Sequence, residues 1–113
     1  MITTHILDTA LGKPAAGVAV VLEKRDTAGG TGWRAVGQGK TDSDGRLRSL
    51  TAENAPTGAG TYRLTFDTGA YFKGLGTATF HPRVVIEFET TGDAHYHVPL
   101  LVSPYGYTTY RGS

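Results

Sequence analysis

Apolar and polar residues alternate along this chain with a period of two. In TYRLTFDT, Tyr62, Leu64 and Phe66 alternate with Arg63, Thr65 and Asp67, and in RVVIEFE, Val84, Ile86 and Phe88 alternate with Val85, Glu87 and Glu89. An extended backbone sends successive side chains to opposite faces, so each segment reads as a strand with one buried face. GVAVVLEKR follows the same rule, with Val18, Val20 and Leu22 on one side. GWRAVGQGKT and HYHVPLLVS add a fourth and fifth strand, and ITTHILD and YGYTTYR a first and a last. Between them lie the turn signals ALGKPA, DTAGGTG, DSDGR, TGAG and TGD, for which 16 glycines provide the material. Seven or eight short strands at this spacing predict an all-β sandwich or barrel. One segment breaks the period: in DTGAYFKGLG, Tyr71, Phe72 and Leu75 stand at helical offsets after Thr68 and predict a short helix closed by Gly76.

A chain of 113 residues can enclose one hydrophobic core without staples, and a single domain over residues 1–113 is expected. The formal net charge is +1 and the charges are dispersed, so no footprint for a nucleic-acid backbone or an anionic membrane surface is present in the sequence. Cysteine is absent, which removes disulfides, thiolate nucleophiles and cysteine-ligated metals. The longest apolar runs, GVAVVL and VPLLV, are far short of a membrane span, and MITTHILDTALGKP lacks the pattern of a targeting signal. These features fit a soluble protein of the reducing cytoplasm.

Strand parity makes HYHVPLLV the most informative segment. Tyr96, Val98, Leu100 and Val102 share the apolar face that packs into the core, so His95, His97, Pro99 and Leu101 share the opposite one. In THILD the same test sends Ile6 inward and leaves His5 and Leu7 on the other face. An outer face that mixes leucines and a proline with imidazoles predicts a second buried surface made by oligomerisation. Histidine suits such a place when protons move near neutral pH, its ordinary pKa being about 6.5. HYH also reads as a metal pair, but zinc needs a third protein ligand and no carboxylate cluster stands nearby, so no metal is expected. Arg46 follows the Asp-Gly turn of DSDGR at a sheet end, where a guanidinium either is solvated or holds a planar polar anion through paired hydrogen bonds; Arg48 has no comparable placement.

Together these pieces resemble the 5-hydroxyisourate hydrolase family, the transthyretin-related enzymes of urate breakdown. The resemblance rests on THILDTALGKPA, TDSDGR, YRLTFDTGAYF and HYHVPLLVSPYGYTTYRGS, and runs from Thr3 to Ser113. It implies a transthyretin-like β-sandwich of two four-stranded sheets with one short helix, assembled as a homotetramer around a central channel. It also implies a site that uses His5, Arg46 and His97 with Tyr110, Arg111, Gly112 and Ser113, and no cofactor. The implied reaction opens the lactam of a small-molecule substrate, 5-hydroxyisourate. In it His5 and His97 move protons, Arg46 stabilises developing negative charge with Arg111 beside it, Tyr110 shapes the wall, Gly112 permits a close turn, and Ser113 supplies a hydroxyl and the terminal carboxylate. His95 shares the face of His97 without an assigned role. Transthyretin itself has the same scaffold without this set of residues, so the rival readings are a non-catalytic carrier of a small planar ligand and a structural sandwich.

Overall fold

The computed structural model describes residues 1–26, 31–51, 57–92 and 94–113. The middle of the DTAGGTG turn and the last residue of TGD lie outside the described residues. Among the described residues nine strands form where the alternation predicts them or where a turn delivers the chain to an open edge. They are β1 Ile2–Asp8, β2 Lys13–Pro14, β3 Ala19–Arg25, β4 Trp33–Lys40, β5 Arg46–Leu47, β6 Gly60–Phe66, β7 Val84–Thr90, β8 Tyr96–Val102 and β9 Tyr107–Thr109, with helix α1, Thr68–Gly74, between β6 and β7.

The strands make two sheets. One runs β4-β3-β6-β7 and is antiparallel throughout; the other runs β2-β1-β8-β9, with β5 also on β1. The pair β1 and β8 is parallel, with Thr3 beside His97, His5 beside Pro99 and Leu7 beside Leu101. The second sheet has five members where two four-stranded sheets were expected, because one edge position is split: β5 pairs with Thr4 and His5, and β2 pairs with Leu7 and Asp8. It is therefore four strands wide. The two extra strands are two residues each, too short to show a period.

The inward residues of both sheets fuse into one core, in which Ile2, Ile6, Leu22, Leu64, Phe66 and Leu100 are fully buried. The outer faces of the two sheets differ in chemistry. On the first, Glu23 stands beside Arg63 and Arg63 beside Glu87, and the Arg63 Nε donates to Glu23 Oε1 at 2.8 Å, an ordinary solvated charge ladder. On the second, Leu7 and Leu101 are only half-buried beside His5 and His97.

Helix α1 is capped by Asp67, whose carboxylate accepts from the Ala70 amide at 3.3 Å, and Thr68, expected before the helix, is its first residue. Phe72 enters the core, but Leu75, expected to pack beside it, caps the helix and is exposed. The helix is tied to β1 through Asp8: its Oδ1 accepts from the amides of Ala10 and Leu11, both at 3.0 Å, and its Oδ2 accepts from the Tyr71 hydroxyl at 2.8 Å. Burial, and then the neighbouring carboxylate, pushes the Tyr71 pKa up to about 12, so the phenol remains a donor. Among the described residues no helix is long and apolar enough to cross a membrane.

Candidate active site

The first catalytic candidate is placed by sheet register. Parallel pairing of β1 with β8 sets Thr3 and His97 side by side on the outer face, and antiparallel pairing of β1 with β5 sets His5 beside Arg46. Three strands thus deliver two imidazoles and a guanidinium to one surface. All three side chains are half-buried.

Arg46 owes its position to the turn before it. The Asp42 Oδ1 accepts from the amides of Asp44 at 2.9 Å and Arg46 at 3.0 Å, and the Asp42 carbonyl accepts from the Gly45 amide at 2.9 Å. The Arg46 amide is the main reason the Asp42 carboxyl is held below its ordinary pKa. Gly45 has φ 72°, and a Cβ there would come within 2.4 Å of the Ile6 carbonyl oxygen. Only glycine fits, and the tight return lets the Gly45 carbonyl accept from the Ile6 amide at 2.8 Å, which locks β5 against β1.

The chain's last described segment closes the site. After β9 the backbone runs on beside β8 in the same antiparallel register, and the Gly112 amide donates to the His97 carbonyl at 2.8 Å. A Cβ on Gly112 would stand 2.6 Å from His97 Cδ2 and 3.2 Å from Pro99 Cγ. The glycine is required by close approach. Pro99, which parity assigned to the outer face expected to be covered by assembly, is already buried within the single chain beside this contact.

The result is a broad cleft of about 1050 Å³ whose wall includes Arg46, His97, Gly112 and Ser113. Its other walls come from Val36 and Gly37 of β4 and from Leu50, whose carbonyl oxygen would lie 1.6 Å from a Cβ on Gly37. The cleft holds two further residues that the sequence left without a role. Arg48 lines it, and its signal was present in the spacing: Arg46 and Arg48 flank Leu47, which is buried. Thr3 lines it as well, its hydroxyl 2.8 Å from His95 Nε2 and 2.8 Å from His97 Nδ1. No period or motif marks a threonine that bridges two imidazoles.

The electrostatics favour a neutral His97. Burial lowers its pKa, and electrostatic interaction with His5, Arg46 and His95 lowers it further. A neutral imidazole in a cleft at neutral pH can accept a proton from water, and the nearby guanidinium can steady an oxygen that gains negative charge. His5 acts on this group from the neighbouring register position.

Tyr110 and Arg111 are placed differently. Both line a smaller hollow of about 220 Å³ on the other side of the tail, with Tyr96 and Phe88, and the Arg111 guanidinium lies 4.8 Å from the centre of the Tyr96 ring. His97 borders both spaces. Among the described residues no group of three or more histidines or carboxylates is arranged to hold a metal ion, and the two imidazoles of HYH meet on Thr3.

The fold is shared with known proteins. Residues 2–112 match the family described as HIUase/Transthyretin family. The chain is similar to 5-hydroxyisourate hydrolases of Salmonella dublin, 47% identical over 100% of this chain and 81% of the relative, and of Caulobacter vibrioides, 50% identical over 99% and 97%. Among solved structures it resembles Klebsiella pneumoniae 5-hydroxyisourate hydrolase, with TM-score 0.84 and 38% identity over 99% of this chain and 92% of that one. It also resembles sea bream transthyretin in complex with thyroxine, with TM-score 0.89 and 34% identity over 98% and 93%.

Proposed function

The chain belongs to the HIUase/Transthyretin family, and from that premise we infer that it is a hydrolase that opens the lactam ring of 5-hydroxyisourate to 2-oxo-4-hydroxy-4-carboxy-5-ureidoimidazoline. The observation that carries this reading is the meeting of His97, Arg46 and the Gly112–Ser113 backbone in one cleft, with His5 in the adjoining register position.

The reaction consumes one water. A C–O bond forms between water and the lactam carbonyl carbon, the carbonyl oxygen gains negative charge, and the ring C–N bond then breaks as the nitrogen takes up a proton. We assign the removal of the water proton to His97, whose lowered pKa leaves it neutral and able to accept. Arg46 holds the charged oxygen, with Arg48 adding positive potential from the same wall. His5 returns a proton to the departing nitrogen. Gly112 lets the tail lie against the His97 ring, and the Ser113 hydroxyl offers a hydrogen bond to the polar rim of the substrate. No step calls for a metal or an organic cofactor, and turnover is expected to persist in a strong chelator.

Tyr110 and Arg111 are assigned to the substrate wall across a junction with a second copy of the chain. Tyr110 is 55% exposed, and Leu7 and Leu101 leave an apolar strip beside the site. The same reading has this strip buried in a homotetramer around a channel, and the exposed Phe80 and Tyr105, at 72% and 70%, are further apolar surface that assembly could cover. The cytoplasm is the proposed location. The direct test generates 5-hydroxyisourate from urate in place and follows its ultraviolet decay. Faster decay with the protein supports the hydrolase, and decay at the spontaneous rate favours a carrier that binds a planar ligand without changing it.

A further inference from the structure

The Thr3 hydroxyl carries one proton, yet it stands 2.8 Å from two ring nitrogens, His95 Nε2 and His97 Nδ1. Both contacts are hydrogen bonds only if the hydroxyl donates to one imidazole and accepts from the other. Thr3 is 5% exposed and holds its hydroxyl away from bulk water between the half-buried His97 and the exposed His95. Two arrangements satisfy this count. If Thr3 donates to His97, the neutral His97 ring holds its proton on Nε2. If Thr3 donates to His95, His97 Nδ1 carries the proton, donates it to Thr3 Oγ1, and keeps its lone pair on Nε2.

The two arrangements differ in what His97 can do. Nδ1 is occupied by Thr3 and the Cδ2 edge is covered by Gly112, whereas Nε2 has no hydrogen bond among the described residues. Nε2 is thus the nitrogen left to work. A ring that takes a proton at Nε2 becomes an imidazolium with hydrogens on both nitrogens, so Nδ1 must then be a donor. Only the second arrangement meets that demand before and after proton uptake, with no reorganisation at the moment of reaction.

Resting on the reading of His97 as proton acceptor, we propose that Thr3, backed by His95, is a positioning residue that holds His97 as the Nδ1-protonated tautomer with its Nε2 lone pair free. This gives His95 a role as the acceptor that orients the hydroxyl. The other charged groups that act on His97 are His5 from β1 and Arg46 from β5, and neither touches the hydroxyl.

The test combines a spectrum with kinetics. In nitrogen-15 long-range imidazole spectra of the unmodified protein near pH 8, His97 is expected as the Nδ1–H form; an Nε2–H form overturns the proposal without any variant. Thr3→Val is expected to shift the ring to Nε2–H, the form free histidine favours, and to lower kcat about 10²- to 10⁴-fold with KM little changed, the scale of losing a positioned base or its tautomer. Thr3→Ser keeps the hydroxyl and is expected to restore both the spectrum and the rate. If His97→Gln keeps full kcat, the acceptor reading fails and this inference with it. If His97→Gln is slow while Thr3→Val is as fast as the unmodified enzyme, only the role of Thr3 falls.

Discussion

At the scale of single residues, burial and then the electrostatic influence of His5, Arg46 and His95 make the His97 imidazole a weaker base than usual. The acid limb of kcat/KM is therefore expected below the ordinary histidine pKa of about 6.5, because activity survives until His97 itself is protonated. Arg46→Gln removes one of the charges that depress it, so the limb should move to higher pH while the rate falls about 10²- to 10³-fold through loss of charge stabilisation; a pH–rate profile of the variant checks both. The same shift bears on stability. The folded chain binds fewer protons than the unfolded one, so this group's contribution is present above about pH 6.5 and is lost as pH falls through that value toward the lowered one. At Gly112, alanine would force its Cβ onto the imidazole, and kcat is expected to drop about tenfold or more with the sandwich still folded, measured by turnover beside thermal melting. His5, Arg46 and His97 were legible in the sequence because strand parity and the Asp-Gly turn fix their face. Arg48 carried a signal in its two-residue spacing from Arg46 but was given no role, and Thr3 carried none, since a hydroxyl between two rings is a product of pairing between distant strands.

At the scale of elements, the link between β1 and α1 is a single buried carboxylate. Asp8 is fully buried and accepts three hydrogen bonds, one of them from Tyr71. Tyr71→Phe removes a donor to a charged acceptor and is expected to destabilise the fold by about 1.5–3 kcal/mol, with kcat unchanged because the contact lies away from the cleft. Chemical denaturation and turnover measured side by side check this. The long strands were readable from their alternation; β2 and β5 were not, because two residues hold no period and exist only where Pro14 and the Gly45 turn return the chain to β1. The helix was readable from Tyr71 and Phe72, whereas Leu75 matched the helical spacing and ended outside, since the cap left it no core to enter.

At the scale of the whole molecule, the two outer sheet faces carry different chemistry, and only one supports a site. The Glu23–Arg63 ladder is at home in water; the surface that carries Leu7, Leu101, His5 and His97 is half apolar. Leu101→Asp is expected to dissociate the proposed tetramer and to reduce turnover together with it, read by sedimentation velocity and assay on the same sample. A monomeric unmodified protein with full activity would remove the need for a shared channel. Tyr110 and Arg111 depend most on this scale, for in one chain they border the smaller hollow, which shares His97 with the cleft but not Arg46. The most direct measurement follows the ultraviolet decay of 5-hydroxyisourate, made from urate in place, with the unmodified protein and with His97→Gln at equal concentration. Rapid decay with the first and a rate about 10²- to 10⁴-fold lower with the second is the predicted result; equal decay in both, or no acceleration by either, would contradict it.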